Sequence, residues 1–409
     1  FLCYLILYLR LGQMKILIFY VAQIFVAILY MALYHSIYKD SSRLLTNNSA
    51  FLLLIGYIML TRLNFNLAVK QFIFATVGLV LTSFIPYIML KWKKMKDLGV
   101  LYGIVGIILL LTVFIPGLGS EKYGSRNWIN IGHLSLQPME FVKIIFVFFV
   151  ASMFYHSIEF KQVVITTVLA AAHVIILVLS RDLGSASIFF VTYLVLLYVA
   201  TRDARYLGLG LGAGSLAAVV AYKLFSHVQA RVIAWKDPLA VIDKQGYQVS
   251  QSLFAIGTGG WFGLGLFQGM PNKIPVADED FVFAAISEEL GGVFAICVIL
   301  VCACCYLMFL NIAMQIHERF YKLIALGLGT TYGFQVFLTI GGVIKFIPST
   351  GVTLPLVSYG GSSLLSTFII FAVIQGLYII REDEIIDGEK ENISRRTNRT
   401  GRRGKRTAE

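Results

Sequence analysis

The chain has 409 residues, 58% of them hydrophobic and 14% charged, with a formal net charge of +12. Soluble domains carry about 25% charged residues, so this composition, with a mean hydropathy of +0.79, excludes a soluble globular protein. The positive excess does not argue for nucleic-acid binding, because seven Arg or Lys against one acid are concentrated in residues 395–409. Behind a membrane domain, a tail of that kind is expected to be disordered, cytoplasmic and close to anionic lipid.

Residues 1–9 are apolar but too short to span, and read as the end of a helix that begins earlier; no cleavable signal peptide is legible there. A membrane helix needs about 20 apolar residues. Candidate spans follow at 16–35, 49–63, 68–90, 98–116, 138–157, 162–180, 184–201, 205–222, 282–309, 319–345 and 362–381, the second starting nearer Leu45. This predicts an all-α integral membrane protein. Between spans, Lys91, Lys93, Lys94 and Lys96 crowd one loop, Arg202 and Arg205 a second, and Arg319 and Lys322 a third. These loops and the tail fall on one side, which the positive-inside rule makes cytoplasmic. The opposite, outer side receives 117–137, 223–281 and 346–363. Segment 223–281 is too long for an ordinary connection, and its Trp-bearing and Gly-rich stretches predict amphipathic, re-entrant or interfacial pieces.

Several chemistries find no support. The five cysteines lie in apolar runs; "CACC" at 302–305 has no zinc spacing and no neighbouring His, so helix packing is the expected role. No phosphate loop or H-E-x-x-H motif occurs. "GLGLGAG" at 208–214 sits within a span and reads as close helix packing through small residues. No long internal repeat supports an inverted-repeat transporter.

Ionisable groups in and beside spans are functional candidates by default. Glu140 and Lys143 are three residues apart on one helix face, spaced for an ion pair or for Lys143 to meet an anion in a cavity. Glu288 and Glu289 lie about two turns into the 282–309 helix and point about 100° apart, so they cannot share a partner. Asp278, Glu279 and Asp280 stand at a helix mouth on the outer side, where capping favours a carboxylate by about 0.3–1 kcal/mol. "SRNWINIGHLSLQPME" (125–140), "SRDLGSA" (180–186) and "IPSTGVTLPLVSYGGSS" (347–363) are rich in turn formers and polar groups. Together with the acids they predict an outward-facing polar site beneath the long loop.

The same segments resemble the SEDS family (shape, elongation, division and sporulation; the FtsW, RodA and SpoVE proteins), over roughly residues 50–381. "RNWINIGHLSLQPMEFVK" is similar to R-x-W-I-x-x-G…Q-P-S-E-x-x-K, and "YQVSQSLFAIGTGGWFGLG" to Y-Q-x-x-Q-S-x-x-A-I-G-S-G-G-x-x-G-K-G. "DFVFAAISEELG" resembles D-F-I-F-A-x-x-x-E-E-L-G, and "STGVTLPLVSYGGSS" resembles T-G-x-P-L-P-x-x-S-Y-G-G-S-S. The resemblance implies a ten-helix core over 45–381, with an extracellular loop (223–281) between core helices seven and eight. One or two extra membrane segments lie within 1–44, and the tail is 382–409.

It further implies a peptidoglycan glycosyltransferase in the bacterial plasma membrane, polymerising lipid II beside a class B penicillin-binding protein. The family's essential Asp falls on Asp280, the expected catalytic residue. A carboxylate can take the attacking sugar hydroxyl's proton, while the departing pyrophosphate needs cations or a divalent metal. Arg126, Lys143, Arg231, Lys273 and Lys345 are the candidate cations, and Glu140, Gln248, Gln251, Ser358 and Ser362 further substrate contacts. Glu288, Glu289 and Asp182 are expected as cavity or structural acids. No metal ligands are assigned, and Mg or Mn stays open.

Three departures from the pattern stand out: Arg181 where the family has Pro, Leu264 where it has Lys, and Asp278 and Glu279 before Asp280. A lipid II flippase and a non-catalytic scaffold are the alternatives. A transporter should hold its decisive charge at mid-membrane, whereas Asp280 is expected at the outer mouth, which favours an enzyme.

Overall fold

The computed structural model describes residues 1–122, 124–132 and 134–406. Helix α1 (Leu2–Leu11) ends at Gly12, whose left-handed backbone (φ 65) turns the chain into α2 (Lys15–Ile37). Helix α3 (Arg43–Leu63) starts where expected, at a cap in which Ser42 Oγ accepts the Leu45 N–H at 3.3 Å. The 68–90 span is two helices, α4 (Phe65–Thr82) and α5 (Ile85–Lys91), because Pro86 in the first turn of α5 lacks the N–H needed to continue α4. Helix α6 (Gly99–Leu111) extends by a 3₁₀ turn to Phe114.

A three-stranded antiparallel sheet follows, β1 (Gly119–Lys122), β2 (Ser125–Ile131) and β3 (Leu134–Leu136), in the order β1-β2-β3. It pairs Ser120 with Trp128 and Asn130 with Ser135. This sheet is an addition to the expected all-α fold, confined to the 117–137 segment.

Then come α7 (Pro138–His156), α8 (Phe160–Leu179), α9 (Leu183–Thr201), α10 (Ala204–Leu224), α11 (Ser226–Lys236) and α12 (Tyr247–Gly259). The chain finishes with α13 (Val282–Leu290), α14 (Gly292–Gln315), α15 (Arg319–Val343) and α16 (Gly361–Arg406). Among the described residues, ten helices are long and apolar enough to cross a membrane. Helix α7 packs against α6, α8, α9, α15 and α16 and is buried nearly all round, so it carries no amphipathic stripe. Helix α10 buries none of its residues. Of the 208–214 glycines, Gly210 and Gly214 face Leu194 and Phe190 of α9, where a Cβ would stand 2.1 and 2.6 Å from them; Gly208 and Gly212 face open space.

The two ends of the bundle sort as charge placement predicts. Lys96 meets Tyr155 and Glu318, Arg319 caps the Ala200 carbonyl, and Arg381 donates to Gln315, which gathers the basic loops at one end. The sheet, α11–α13 and 345–363 gather at the other.

One expectation needs correction. The single 282–309 span is broken at Gly291 (φ 90, ψ 165), a conformation only glycine adopts easily. The orphaned backbone groups find partners in the preceding loop. Leu264 and Gly265 donate to the Glu288 and Glu289 carbonyls, and Gly260 and Trp261 accept from Gly292 and Val293, all at 2.9–3.1 Å. A Cβ on Gly291 would lie 2.4 Å from the Gly263 nitrogen. Gly291→Ala is therefore expected to destabilise the fold by at least about 1–3 kcal/mol, read by denaturation in detergent; an unchanged midpoint refutes the break. Helix α16 continues past 382, where the tail begins, to Arg406. Residues 407–409 lie outside the described residues.

Candidate active site

The sheet end of the bundle encloses a cavity of about 860 Å³. Its polar wall comes from loops, each pinned to another element. Ser125 Oγ donates to the Arg181 carbonyl at 2.9 Å and Asn127 Nδ2 to Asp182 Oδ2 at 2.8 Å, so β2 is docked on the α8–α9 turn. Asp182 also caps α9, accepting the Ser185 N–H at 3.0 Å. Arg181 sits at φ 61, a backbone that proline, fixed near −65°, cannot adopt. The family's proline is therefore incompatible with this turn as it stands. Trp235 Nε1 donates to the Lys345 carbonyl at 3.2 Å and Arg231 Nη1 to the Thr350 carbonyl at 2.9 Å, which lays α11 over 345–351.

Asp280 closes the loop before α13. The Tyr359 N–H donates to the Asp278 carbonyl at 2.7 Å, and Ser358 Oγ to the Glu279 carbonyl at 2.5 Å. Two consecutive carbonyls are thus held by 358–359 immediately ahead of the acid. The Asp280 side chain is half-buried on the cavity wall and, among the described residues, makes no hydrogen bond and no ion pair within 4 Å. Gly351 separates it from Arg231: a Cβ there would stand 3.4 Å from Asp280 Oδ2 and 3.6 Å from Arg231 Nη2. Burial pushes the Asp280 carboxyl up to about 6, with Arg231 opposing and Asp182 and Asp278 adding to the rise. Burial likewise raises Glu279 to about 7, helped by Asp280 and Asp278.

Of the residues singled out in the sequence, Glu279, Asp280, Glu140, Arg231, Gln248, Ser362 and Asp182 share this cavity. The rest do not line it. Lys143 is buried and committed, donating to Glu140 Oε2 at 2.5 Å and Gln335 Oε1 at 2.8 Å, so it is not a free cation for an anion. Ser366 completes the cluster on Glu140 at 2.7 Å. Arg126 lies on β2 with its N–H on the Ser180 carbonyl, Lys273 is exposed in a 3₁₀ turn, and Lys345 accepts at its carbonyl from Trp235. Gln251 sits on α12 off the wall; Ser358 acts as the loop pin.

Glu288 and Glu289 point apart as expected, but into structure rather than the cavity. Glu288 accepts the Met270 N–H at 2.9 Å; Glu289 pairs with Arg62 at 2.8 Å and accepts the Phe267 N–H at 3.1 Å. Leu264, a further departure, donates its N–H to the Glu288 carbonyl.

Sequence reasoning missed Lys70, Lys122 and Tyr359 on the cavity wall and Arg62, the partner of Glu289. Lys70 had a signal, a lone cation at the head of an apolar run. Arg62 had none, since a cation at a span's end reads as snorkelling. The apolar wall, Ile73, Phe74, Val77 and Leu81 of α4, is invisible among other lipid-compatible residues. No three His, Cys, Asp or Glu side chains among the described residues converge to hold a metal ion.

Fold and site together define a polytopic membrane protein with an acid-bearing cavity at one end of its bundle, one wall polar and one apolar. The chain belongs to the FtsW/RodA/SpoVE family of cell cycle proteins, whose model matches residues 48–382. It is 34% identical over 322 residues to the peptidoglycan glycosyltransferase RodA of Mycobacterium tuberculosis, covering 75% of this chain and 69% of that one. Stage V sporulation protein E of Bacillus subtilis is 32% identical over 327 residues, 76% and 86% of the two chains. The fold is that of Thermus thermophilus rod shape determining protein RodA (TM-score 0.63, 23% identity, 83% of this chain and 96% of that one). A chain of a peptidoglycan synthase complex coordinating polymerization and crosslinking superposes with TM-score 0.71 at 24% identity, covering 83% and 98%.

Proposed function

We propose that this membrane glycosyltransferase joins the disaccharide units of lipid II into peptidoglycan strands, with Asp280 as the general base. The observation that carries the reading is Asp280 itself: a half-buried carboxylate on the cavity wall, unpaired among the described residues, in the position the family's D-F-I-F motif gives its essential acid. The C4 hydroxyl of one sugar attacks C1 of the other. Its proton passes to Asp280, the new C4–O–C1 bond forms, and the C1–O bond to pyrophosphate breaks with its electron pair leaving on phosphate. Attack opposite the leaving group turns an α-linked donor into a β-linked product. Arg231, beside Gly351 like Asp280, is the side chain placed to stabilise the departing undecaprenyl pyrophosphate, and Lys70 and Lys122 extend the positive wall. The apolar α4 wall suits the isoprenoid chain. A Mg or Mn ion arriving with pyrophosphate would add charge neutralisation and needs only one or two carboxylates from the protein.

On this reading the cavity faces the outer side and the basic end the cytoplasm, as the loop charges favour. The fitting partner is a class B penicillin-binding protein supplying the transpeptidase. Purified protein with that partner should convert lipid II to glycan strands in detergent. No polymer, with lipid II still crossing vesicles, would replace the enzyme by a flippase.

The raised acid sets a pH dependence. A base acts as carboxylate, so with Asp280 near 6 the rate should be level above neutrality and fall as pH drops through about 6, approaching tenfold per unit. A limb at pH 4, the ordinary carboxylate range, would contradict its burial.

A further inference from the structure

The helices ahead of the family match reach the frame that holds Asp280. Tyr4, Leu7, Ile16 and Phe19 of the α1–α2 hairpin form a buried cluster with Leu60 of α3 and Ala68 of α4. Tyr4 Oη donates to Gln23 Oε1 at 2.8 Å, tying α1 to α2, and the Phe19 ring sits edge-on to Phe65 and Phe72 at 5.4 and 5.5 Å. Two half-buried residues from the far part of the chain pack against this cluster, Phe267 and Tyr359. Both are anchor points. Phe267 lies under the Arg62 guanidinium at 4.3 Å and gives its N–H to Glu289; Tyr359 gives its N–H to the Asp278 carbonyl.

The geometry points to the α1–α2 hairpin, through Phe19 and Tyr4, as a buttress that this chain adds to position the Asp278–Asp280 segment by way of Phe267 and Tyr359. Residues 1–37 precede the matched span 48–382, so the buttress lies outside the family core. It rests on the reading of Asp280 as the base. Packed interiors transmit strain, because a ring lost from a filled cluster is felt by its neighbours. Phe19 and Tyr4 would touch neither sugar nor phosphate; they are positioning residues.

The test compares Phe19→Ala and the milder Phe19→Leu with Phe25→Ala, a change at an exposed site on the same helix. Three readouts are taken on the full chain with its partner: kcat, KM for lipid II, and hydrogen exchange at the Tyr359 amide. For Phe19→Ala we expect kcat to fall about 10- to 100-fold, KM to hold within about twofold, and Tyr359 to exchange faster. Phe19→Leu should be intermediate and Phe25→Ala like the parent. Unchanged Tyr359 exchange in folded Phe19 variants overturns the buttress, as does a change confined to KM. Should Phe19→Ala fail to fold, Phe19→Leu and Tyr4→Phe decide by the same readouts. Exchange needs no turnover, so loss of the general-base reading, seen as an active Asp280→Asn enzyme, is separable from loss of this one.

Discussion

Asp280→Asn should lower lipid II polymerisation by about 10²–10⁴-fold, the usual contribution of a positioned general base, while the protein folds and binds lipid II normally. The amide keeps the shape of the carboxylate but accepts no proton. Nothing structural should be lost, since among the described residues the side chain makes no hydrogen bond and no ion pair. Removing a carboxylate whose pKa is lifted by burial relieves a desolvation cost, so the variant should be at least as stable as the parent. Asp280→Ala should be equally inactive. The measurement is glycan strand synthesis with thermal unfolding alongside. Full synthesis by a folded Asp280→Asn would remove the acid from the mechanism, and a large loss of stability would make its role structural.

Arg62→Ala should show the opposite pattern, a loss of about 3–5 kcal/mol of stability, with activity falling as a consequence. Arg62 and Glu289 are 2.8 Å apart, with side chains 9% and 0% exposed. Deleting the guanidinium strands a carboxylate in a site from which water is excluded. It also strips the cation from Phe267, releasing the loop that leads to Asp280. Breaking one partner of a buried pair is far worse than removing both. Arg62→Ala with Glu289→Ala should therefore lose less than the sum of the singles, by about 0.5–3 kcal/mol. Denaturation of the four proteins in detergent measures the cycle. Additive losses would show that the two charges do not depend on each other.

Asp280 and Lys143 mark where sequence reading reached and where it stopped. Motif position placed Asp280 at the mouth of α13, and the structure puts it on the cavity wall. The same reasoning offered Lys143 as a cation for the substrate, but Glu140 and Gln335 occupy it. Glu140 could be read three residues away; Gln335 is 192 residues distant. The break at Gly291 was hidden because hydropathy averages over composition, and a glycine in an apolar run says nothing of its φ. Arg62 was passed over because its partner lies 227 residues along the chain.

The amino-acid order alone determined the membrane class, the positions of most spans, the grouping of basic loops at one end, and the motif position of Asp280, the acid proposed as the base. These follow from local quantities: apolar run length, charge count and motif spacing. Only the tertiary structure decided which cations are free to meet an anion, where the α13–α14 helix is interrupted, and that Phe267 and Tyr359 pack against the cluster built on α1–α2. Whether a buried charge is available depends on what the fold brings beside it, and that neighbour is usually remote in sequence.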